Sequence, residues 1–145
     1  MSKNPADPKS DFHAKCKAGK LKITPQRTLI YESLLNDAGH PSVDEVFKKV
    51  KKKIPNISFD TVNRTLLSFV EIGLLGLTRG IDRCRRFDTV TQNHHHFQCL
   101  KCSSIIDFYD DGYDRLKIPA GIEKKFTVTG KKVVLEGICS KCRGK

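Results

Sequence analysis

The chain of 145 residues has no long apolar run and few acidic residues. No stretch approaches the roughly 18 consecutive apolar residues of a membrane span, which argues against an integral membrane protein. The first ten residues have no apolar core like that of a signal peptide, so we expect a cytoplasmic location and no membrane partner. Asp and Glu number 16 against 27 Lys and Arg, a formal net charge of +11. This excess favours an anionic partner such as nucleic acid.

Histidine is also scarce, and three of the five histidines are adjacent at positions 94–96. The six cysteines include two Cys-x-x-Cys pairs, Cys99 with Cys102 and Cys139 with Cys142. In a cytoplasmic chain such pairs indicate a metal site rather than disulfides. Most of the candidate metal chemistry therefore lies in the second half of the chain.

Capping residues and glycine or proline breaks predict three amphipathic helices in the first half of the chain, at 25–36, 43–53 and 59–72. Two short strands, at 74–79 and 85–87, follow them and are joined by a tight turn. Three helices followed by a strand–turn–strand are typical of a winged helix-turn-helix domain.

The second half changes to the two-residue alternation of strands, at 94–98, 104–109, 126–129 and 132–136. We therefore predict an α+β protein with an N-terminal winged helix-turn-helix domain and a small C-terminal α/β domain that contains a four-cysteine zinc site. The predicted divisions are a tail and short helix over 1–20 (the helix at 11–19), the winged-helix domain over 21–88, a hinge over 89–93 and the second domain over 94–145.

Each Cys-x-x-Cys pair follows a predicted strand, so each can form a tight turn that presents two thiolates. Together the four sulfurs can complete a tetrahedral zinc site, and since all four ligands are protein side chains the site is structural. A metal would stabilise a domain of about 50 residues, a size at which a hydrophobic core alone is marginal. Bound iron and redox-active cysteines are the alternatives.

A second group of candidate ligands contains only nitrogen and oxygen donors. His94 and His96 share one face of a predicted strand and His95 lies on the other, which makes His95 the weaker candidate. Donors of this kind suit iron(II), manganese(II) or zinc(II), provided that the two domains face each other. From spacing alone, an ordinary surface cluster of histidines is an equally open interpretation. The candidate ligands are His40, Asp88, His94, His96 and Asp107.

Several short motifs occur together between residues 21 and 142. They are Ile23-Thr24-Pro25-Gln26-Arg27, Gly39-His40-Pro41, Thr61-Val62-x-Arg64-Thr65-Leu66, Arg86-Phe87-Asp88, His94-x-His96 and the two cysteine pairs. In this combination the chain resembles the ferric uptake regulator family of metal-dependent bacterial repressors, and within that family it is most similar to the peroxide-sensing branch.

The resemblance implies two metals and a dimer. Zinc would bind Cys99, Cys102, Cys139 and Cys142, and residues 94–145 would form a dimerisation domain. Iron(II) or manganese(II) would bind His40, Asp88, His94, His96 and Asp107, where iron-uptake regulators usually carry glutamate in place of both aspartates. Peroxide acting on bound iron would oxidise His40 or His94 and release the repressor.

The resemblance also implies that a homodimer binds an inverted-repeat operator in double-stranded DNA. The family usually has tyrosine where this chain has Asn63, which leaves the operator sequence open. We expect a regulator rather than an enzyme. The alternatives are an iron- or zinc-homeostasis repressor without peroxide sensing, a zinc protein without a sensory metal, and a non-haem iron oxygenase. The predicted DNA-binding residues are Arg27, Asp60, Thr61, Asn63 and Arg64.

Overall fold

The computed structural model describes residues 7–35, 37 and 39–144, which form two compact units. The first unit extends to Arg79 and includes Arg83–Thr91, whereas the second contains Gly80–Asp82 and the chain from Gln92 onward. Within the described ranges no helix is long and apolar enough to cross a membrane.

The first unit contains four helices and a two-stranded sheet. Its helices begin at residues suited to helix starts: Ser42 forms a capping box with Glu45 at α3, and the Ser58 side chain accepts a hydrogen bond from the N–H of Thr61 at α4. The order is α1 (Pro8–Ala18), α2 (Pro25–Leu35), α3 (Val43–Lys51), α4 (Phe59–Glu71), β1 (Gly76–Arg79) and β2 (Arg85–Asp88).

An aromatic cluster joins α1 to the remaining helices. Phe12 stacks on Tyr31 with ring centroids 4.8 Å apart, and Phe69 packs edge-on against Phe12 at 5.8 Å. Helix α1 begins at Pro8, earlier than the predicted start at residue 11, because proline is well tolerated in a first helical turn. Residues 1–6 of the predicted tail lie outside the described residues.

Strand β2 has a neighbour on each side. It pairs antiparallel with β1, with Arg86 opposite Thr78. On its other side Arg86 forms a bridge with Ser42, and the Phe87 N–H donates to the Pro41 carbonyl at 3.0 Å. The loop before α3 is therefore fixed to the wing strand.

The second unit is built on a three-stranded sheet in the order β4-β3-β5. Its central strand β3 (His95–Cys99) is antiparallel to β4 (Ile105–Phe108) and parallel to β5 (Val134–Gly137). Two single-turn helices, α5 (Asp111–Asp114) and α6 (Ala120–Glu123), lie between β4 and β5.

The predicted strand at 126–129 is wrong. This segment forms neither helix nor strand, and its side chains, including Phe126, are exposed. The outer edges of β4 and β5 have no strand partner in this sheet, but segment 126–129 pairs with neither of them, and an alternating pattern becomes a strand only where a neighbouring strand supplies hydrogen bonds. The other strand predicted in this region, at 132–136, begins two residues later and ends at Gly137.

Candidate metal centres and DNA-binding helix

The four cysteines of the two pairs come together in the second unit. Cys99 ends β3, Cys139 follows β5, and the sheet register places Cys99 opposite Gly137. All four Sγ atoms lie within 4.8 Å of one another, and Cys102 Sγ is 3.8 Å from Cys139 Sγ. The parallel pairing of β3 with β5 thus brings together two motifs that are far apart in the sequence.

The cluster ionises unevenly in the absence of a cation. Backbone N–H groups of Cys102 and Cys139 lower the pKa of Cys99 to about 6. Hydrogen bonding to the Cys139 sulfur, burial and the other thiols raise the pKa of Cys142 to about 12. A divalent cation bound to the sulfurs lowers the pKa of every thiol and so offsets the raised pKa of Cys142. The four-sulfur donor set therefore fits zinc.

The two remaining cysteines, Cys16 and Cys84, belong to the first unit. Cys16 lies in its core, and Cys84 lies in the exposed β1–β2 turn.

A triad of nitrogen and oxygen donors lies in the second unit: His94, His96 and Asp107, here called the second-unit triad. The two Nε2 atoms are 3.0 Å apart, and Asp107 Oδ1 lies 3.3 Å from His94 Nε2 and 3.2 Å from His96 Nε2. Adjacent donors around an octahedral ion with bonds near 2.1 Å are separated by about 3 Å. The three atoms are therefore spaced as ligands on one face of such an ion.

The tautomer of His94 suits metal binding. Its Nδ1 lies 2.7 Å from the Gln92 carbonyl, which can only accept a hydrogen bond, so Nδ1 carries the proton. The Nε2 lone pair then faces His96 and Asp107. Such a hydrogen bond behind a ligand imidazole fixes the ring and increases its basicity.

Two further predicted ligands meet in the first unit and are here called the first-unit pair, His40 and Asp88. Nε2 of His40 is 3.2 Å from Oδ2 of Asp88, and both side chains are buried. The second oxygen, Oδ1 of Asp88, accepts a hydrogen bond from the Val90 N–H at 2.8 Å. One carboxylate oxygen and one imidazole nitrogen thus face each other, a donor pair that also suits a hard or borderline divalent ion.

His95 has a different role from its two neighbours. Its Nδ1 accepts a hydrogen bond from the Val133 N–H at 3.0 Å, and its Nε2 therefore donates to Asp114 Oδ1 at 2.8 Å. Both ring nitrogens are occupied, and His95 is fully buried. It joins β3 to the chain before β5 and to α5, in agreement with its assignment to the opposite face of the strand.

Helix α4 presents the predicted DNA-reading residues unequally. Arg64 and Asp60 are exposed and form an ion pair, with Arg64 Nε 2.9 Å from Asp60 Oδ2. The Thr61 hydroxyl is 2.8 Å from that of Ser58, so it takes part in the helix cap. Asn63 is half-buried, and its Oδ1 is buried without a hydrogen-bond partner among the described residues, so less of this side chain is exposed than a predicted DNA contact requires.

Arg27 is also less available for contact with DNA than we expected from the sequence. It is half-buried on α2 and donates through its guanidinium to the Lys22 carbonyl. Three other arginines are exposed on the wing or its turn, and Arg83 has a positive φ of 63°. These exposed residues are Arg79, Arg83 and Arg85.

Sequence reasoning missed the groups that hold the His94 and His95 rings in place. The partners of His94 and of the His95 ring are the Gln92 carbonyl and the Val133 N–H, both main-chain groups with no residue signature. Asp114 has a side chain, but only the folded sheet brings it beside a histidine 19 residues away.

Residues 18–136 match the model of the ferric uptake regulator family. The chain belongs to this family. It is 39% identical over 126 residues to the peroxide operon regulator of Bacillus subtilis (strain 168), covering 86% of each chain. It is 38% identical over 128 residues to the peroxide-responsive repressor PerR of Staphylococcus epidermidis (strain ATCC 12228 / FDA PCI 1200), covering 88% of this chain and 84% of that one.

The solved structures confirm the family fold. The ferric uptake regulator Fur of Helicobacter pylori superimposes with a TM-score of 0.80 at 20% identity and covers 99% of both chains. At that identity the likeness speaks for the fold alone. The predicted α+β architecture, with a winged-helix unit followed by a small sheet unit, is therefore the architecture of the family.

Proposed function

We propose that this member of the ferric uptake regulator family is a metal-dependent repressor that responds to peroxide. The observation that carries the proposal is the second-unit triad, three buried or half-buried donors spaced 3.0–3.3 Å apart. Relatives named as peroxide regulators, at 38–39% identity, support the choice of stimulus.

The regulatory ion is proposed to bind the second-unit triad together with the first-unit pair. The set contains three imidazoles and two carboxylates and no sulfur, which suits iron(II) or manganese(II). Iron(II) held by these residues would activate peroxide, so that one peroxide oxygen is added to a ligand imidazole, His40 or His94, and the other leaves as water. Loss of that ligand weakens metal binding, and the operator affinity that depends on the metal falls with it.

The four-cysteine cluster is proposed to hold a structural zinc ion. The Cys99 thiolate is already favoured by backbone N–H groups, and the cation supplies the attraction that the Cys142 thiolate lacks. Zinc would thus fix the end of β3 to the end of β5, independently of the regulatory ion.

Operator recognition is assigned to α4, with the exposed Arg64 and Asp60 pair foremost. An arginine fork can contact a guanine edge, and the wing arginines supply phosphate contacts whose strength falls with salt. Asn63, with its buried oxygen, and Thr61, engaged in the helix cap, are secondary contributors. Arg27 remains a proposed phosphate contact through the part of its guanidinium that Lys22 does not use.

The second unit is the proposed dimerisation surface. It exposes many large apolar side chains, and such side chains mark interaction surfaces where they form a patch. A two-fold dimer covers such a surface and presents two α4 helices to an inverted repeat. The apolar side chains are those of Leu100, Ile106, Tyr109, Leu116, Ile122, Phe126, Val128, Val134, Leu135 and Ile138.

The deciding experiment is operator binding by fluorescence anisotropy without oxygen. Zinc-containing protein loaded with iron(II) or manganese(II) is compared before and after stoichiometric peroxide. We expect only the iron form to release DNA, and a mass gain of oxygen on His40 or His94. If both forms stay bound, the chain is instead an iron- or zinc-homeostasis repressor using the same ligands.

Two histidine variants provide the matched control. His94→Ala removes a member of the second-unit triad, so metal should no longer increase operator affinity. His13→Ala removes an exposed histidine of α1 and should leave the metal response unchanged. If His94→Ala leaves operator affinity unchanged, the chain is instead a zinc protein that binds DNA without a sensory metal.

A further inference from the structure

Arg86 holds the backbone of a proposed metal ligand. Its guanidinium Nη1 donates to the His40 carbonyl at 3.1 Å. The side chain is only 16% exposed, whereas that of the adjacent Arg85 faces solvent. A mostly buried arginine on a main-chain carbonyl restricts the position of that residue, because the guanidinium is planar and its donors are fixed in direction.

The same face of β2 also contacts the His40 ring. Side chains two apart on a strand share a face, so Arg86 and Asp88 lie on one side and Phe87, 1% exposed, enters the core on the other. Asp88 Oδ2 is 3.2 Å from His40 Nε2. His40 is thus fixed at two points, its carbonyl by Arg86 and its imidazole by Asp88.

Arg86 also faces the start of α3. Its Nη1 lies 3.8 Å from Glu45 Oε1, while Glu45 Oε2 accepts a hydrogen bond from the Ser42 N–H at 3.1 Å. Ser42 is the N-cap of α3 and forms a bridge with Arg86 through the backbone. One guanidinium therefore connects the His40 loop to the cap of the helix that precedes α4.

We propose that Arg86 is a positioning residue for the regulatory metal site. It fixes the position of His40 and connects the binding of metal at His40 to the N-terminus of α3. The inference rests on the proposed metal site and adds a residue that does not itself bind the ion. Removing such an outer partner of a metal ligand lowers metal affinity by about 10–100-fold. Arg86 is therefore expected to matter for metal binding and not only for the charge of the wing.

The test measures manganese(II) binding to the zinc-containing full-length protein from the electron paramagnetic resonance signal of free Mn²⁺. Arg86→Met keeps an apolar stem in the buried position but has no donor, and its affinity should fall at least about tenfold. The matched control is Arg85→Met, which removes the same charge one residue away. Its Mn²⁺ affinity should stay within about twofold of wild type because Arg85 is exposed, outside the hydrogen bonds that hold His40.

Zinc content and circular dichroism establish that both variants are folded. Unchanged Mn²⁺ affinity in folded Arg86→Met would overturn the inference. If His94→Ala also bound Mn²⁺ as wild type does, the proposed metal site itself would fail, so the two failures are distinguishable.

A measurement on the wild-type protein keeps the inference testable if Arg86→Met does not fold. Hydrogen exchange followed by mass spectrometry should show that Mn²⁺ protects the peptide over residues 40–46, which contains the His40 loop and the α3 cap. Exchange in that peptide that is the same with and without bound Mn²⁺ would contradict a connection between His40 and α3.

Discussion

The two units of this protein have interiors of opposite character. The first unit buries Phe69, Ile30, Leu66 and other apolar side chains in one continuous cluster. Among residues 92–144 of the second unit, the buried apolar side chains are those of Cys99 and Cys139 alone, and the other buried residues are His94, His95, His96 and Gln98. One interior is therefore a hydrocarbon core, and the other consists of candidate metal ligands and hydrogen-bonding groups.

Because the interiors differ, we expect the two units to be stabilised by different interactions. Burial of apolar area contributes about 25 cal/mol per Å² and needs no partner molecule, so the first unit has its own source of stability. Buried polar donors contribute little net free energy unless they are satisfied, and metal-binding side chains are satisfied by a metal. We therefore expect the fold of the second unit, which is also proposed to sense metal, to depend on metal.

The largest expected effect follows from removing zinc. Chelation, or Cys99→Ser, should unfold the second unit and leave α1–α4 folded, because structural zinc contributes about 10 kcal/mol or more in small domains. Amide hydrogen exchange resolved by peptide should show loss of protection in β3–β5 only.

The control for zinc removal is Cys84→Ser, which replaces the exposed cysteine of the β1–β2 turn. It should bind one zinc ion per chain and unfold as wild type does. Retained protection of β3–β5 after complete chelation would mean that apolar contacts hold the second unit, contrary to the comparison.

The converse experiment weakens the first unit. Phe69 is 0% exposed and packs edge-on against Phe12 and Tyr31, so Phe69→Ala leaves a cavity and should lower the free energy of unfolding by about 3–5 kcal/mol. Urea unfolding followed by helical circular dichroism measures the loss. Leu77 is 44% exposed, so Leu77→Ala should lower the free energy of unfolding by well under half as much. The zinc content of both variants should equal that of wild type.

The contrast also explains which structural features could be predicted from sequence. Helix caps are local, so the helices predicted to start at residues 43 and 59 do start there, after the caps formed by Ser42 with Glu45 and by Ser58. The alternation of β3 correctly separated His95 from its two neighbours. The Cys-x-x-Cys spacing was sufficient because the sulfur ligands themselves require that pattern.

Features that depend on distant neighbours were harder to predict. The segment 126–129 has an alternating pattern but no strand beside it, and Asn63 lies on the expected helix face yet has its amide oxygen buried. The hydrogen bond from Arg86 to the His40 carbonyl links residues 46 apart, and no local pattern encodes it.

A moderate effect is expected where one member of a polar pair is buried, as in the pair of His95, 0% exposed, with Asp114, 44% exposed. His95 Nε2 donates to Asp114 at 2.8 Å, so Asp114→Ala leaves a buried N–H without its acceptor and should lower stability by about 1–3 kcal/mol. Thermal unfolding of the zinc form measures the change. Asp111→Ala, an exposed carboxylate of the same short helix, is the control and should shift the midpoint much less.

The smallest effect is expected for the corresponding acid–base pair of the first unit. Asp37 Oδ2 lies 2.7 Å from Lys49 Nζ, and the hydrogen bond from Lys49 holds the pKa of Asp37 below its ordinary value. The contact is partly solvated, so Asp37→Asn should lower stability by about 0.2–1 kcal/mol at pH 7. A lowered folded-state pKa adds stability above the unfolded value, near 3.9, and loses it as pH falls.

The difference between wild type and Asp37→Asn should therefore be constant from neutral pH to about pH 5 and shrink below about pH 4, as measured by urea unfolding across pH. Glu71→Gln, an exposed carboxylate at the end of α4, should show a smaller effect. If Asp37→Asn proved as harmful as Asp114→Ala, polar pairs would count equally in both units. A several-fold smaller loss would instead show that a polar contact is decisive only where it takes the place of an apolar core.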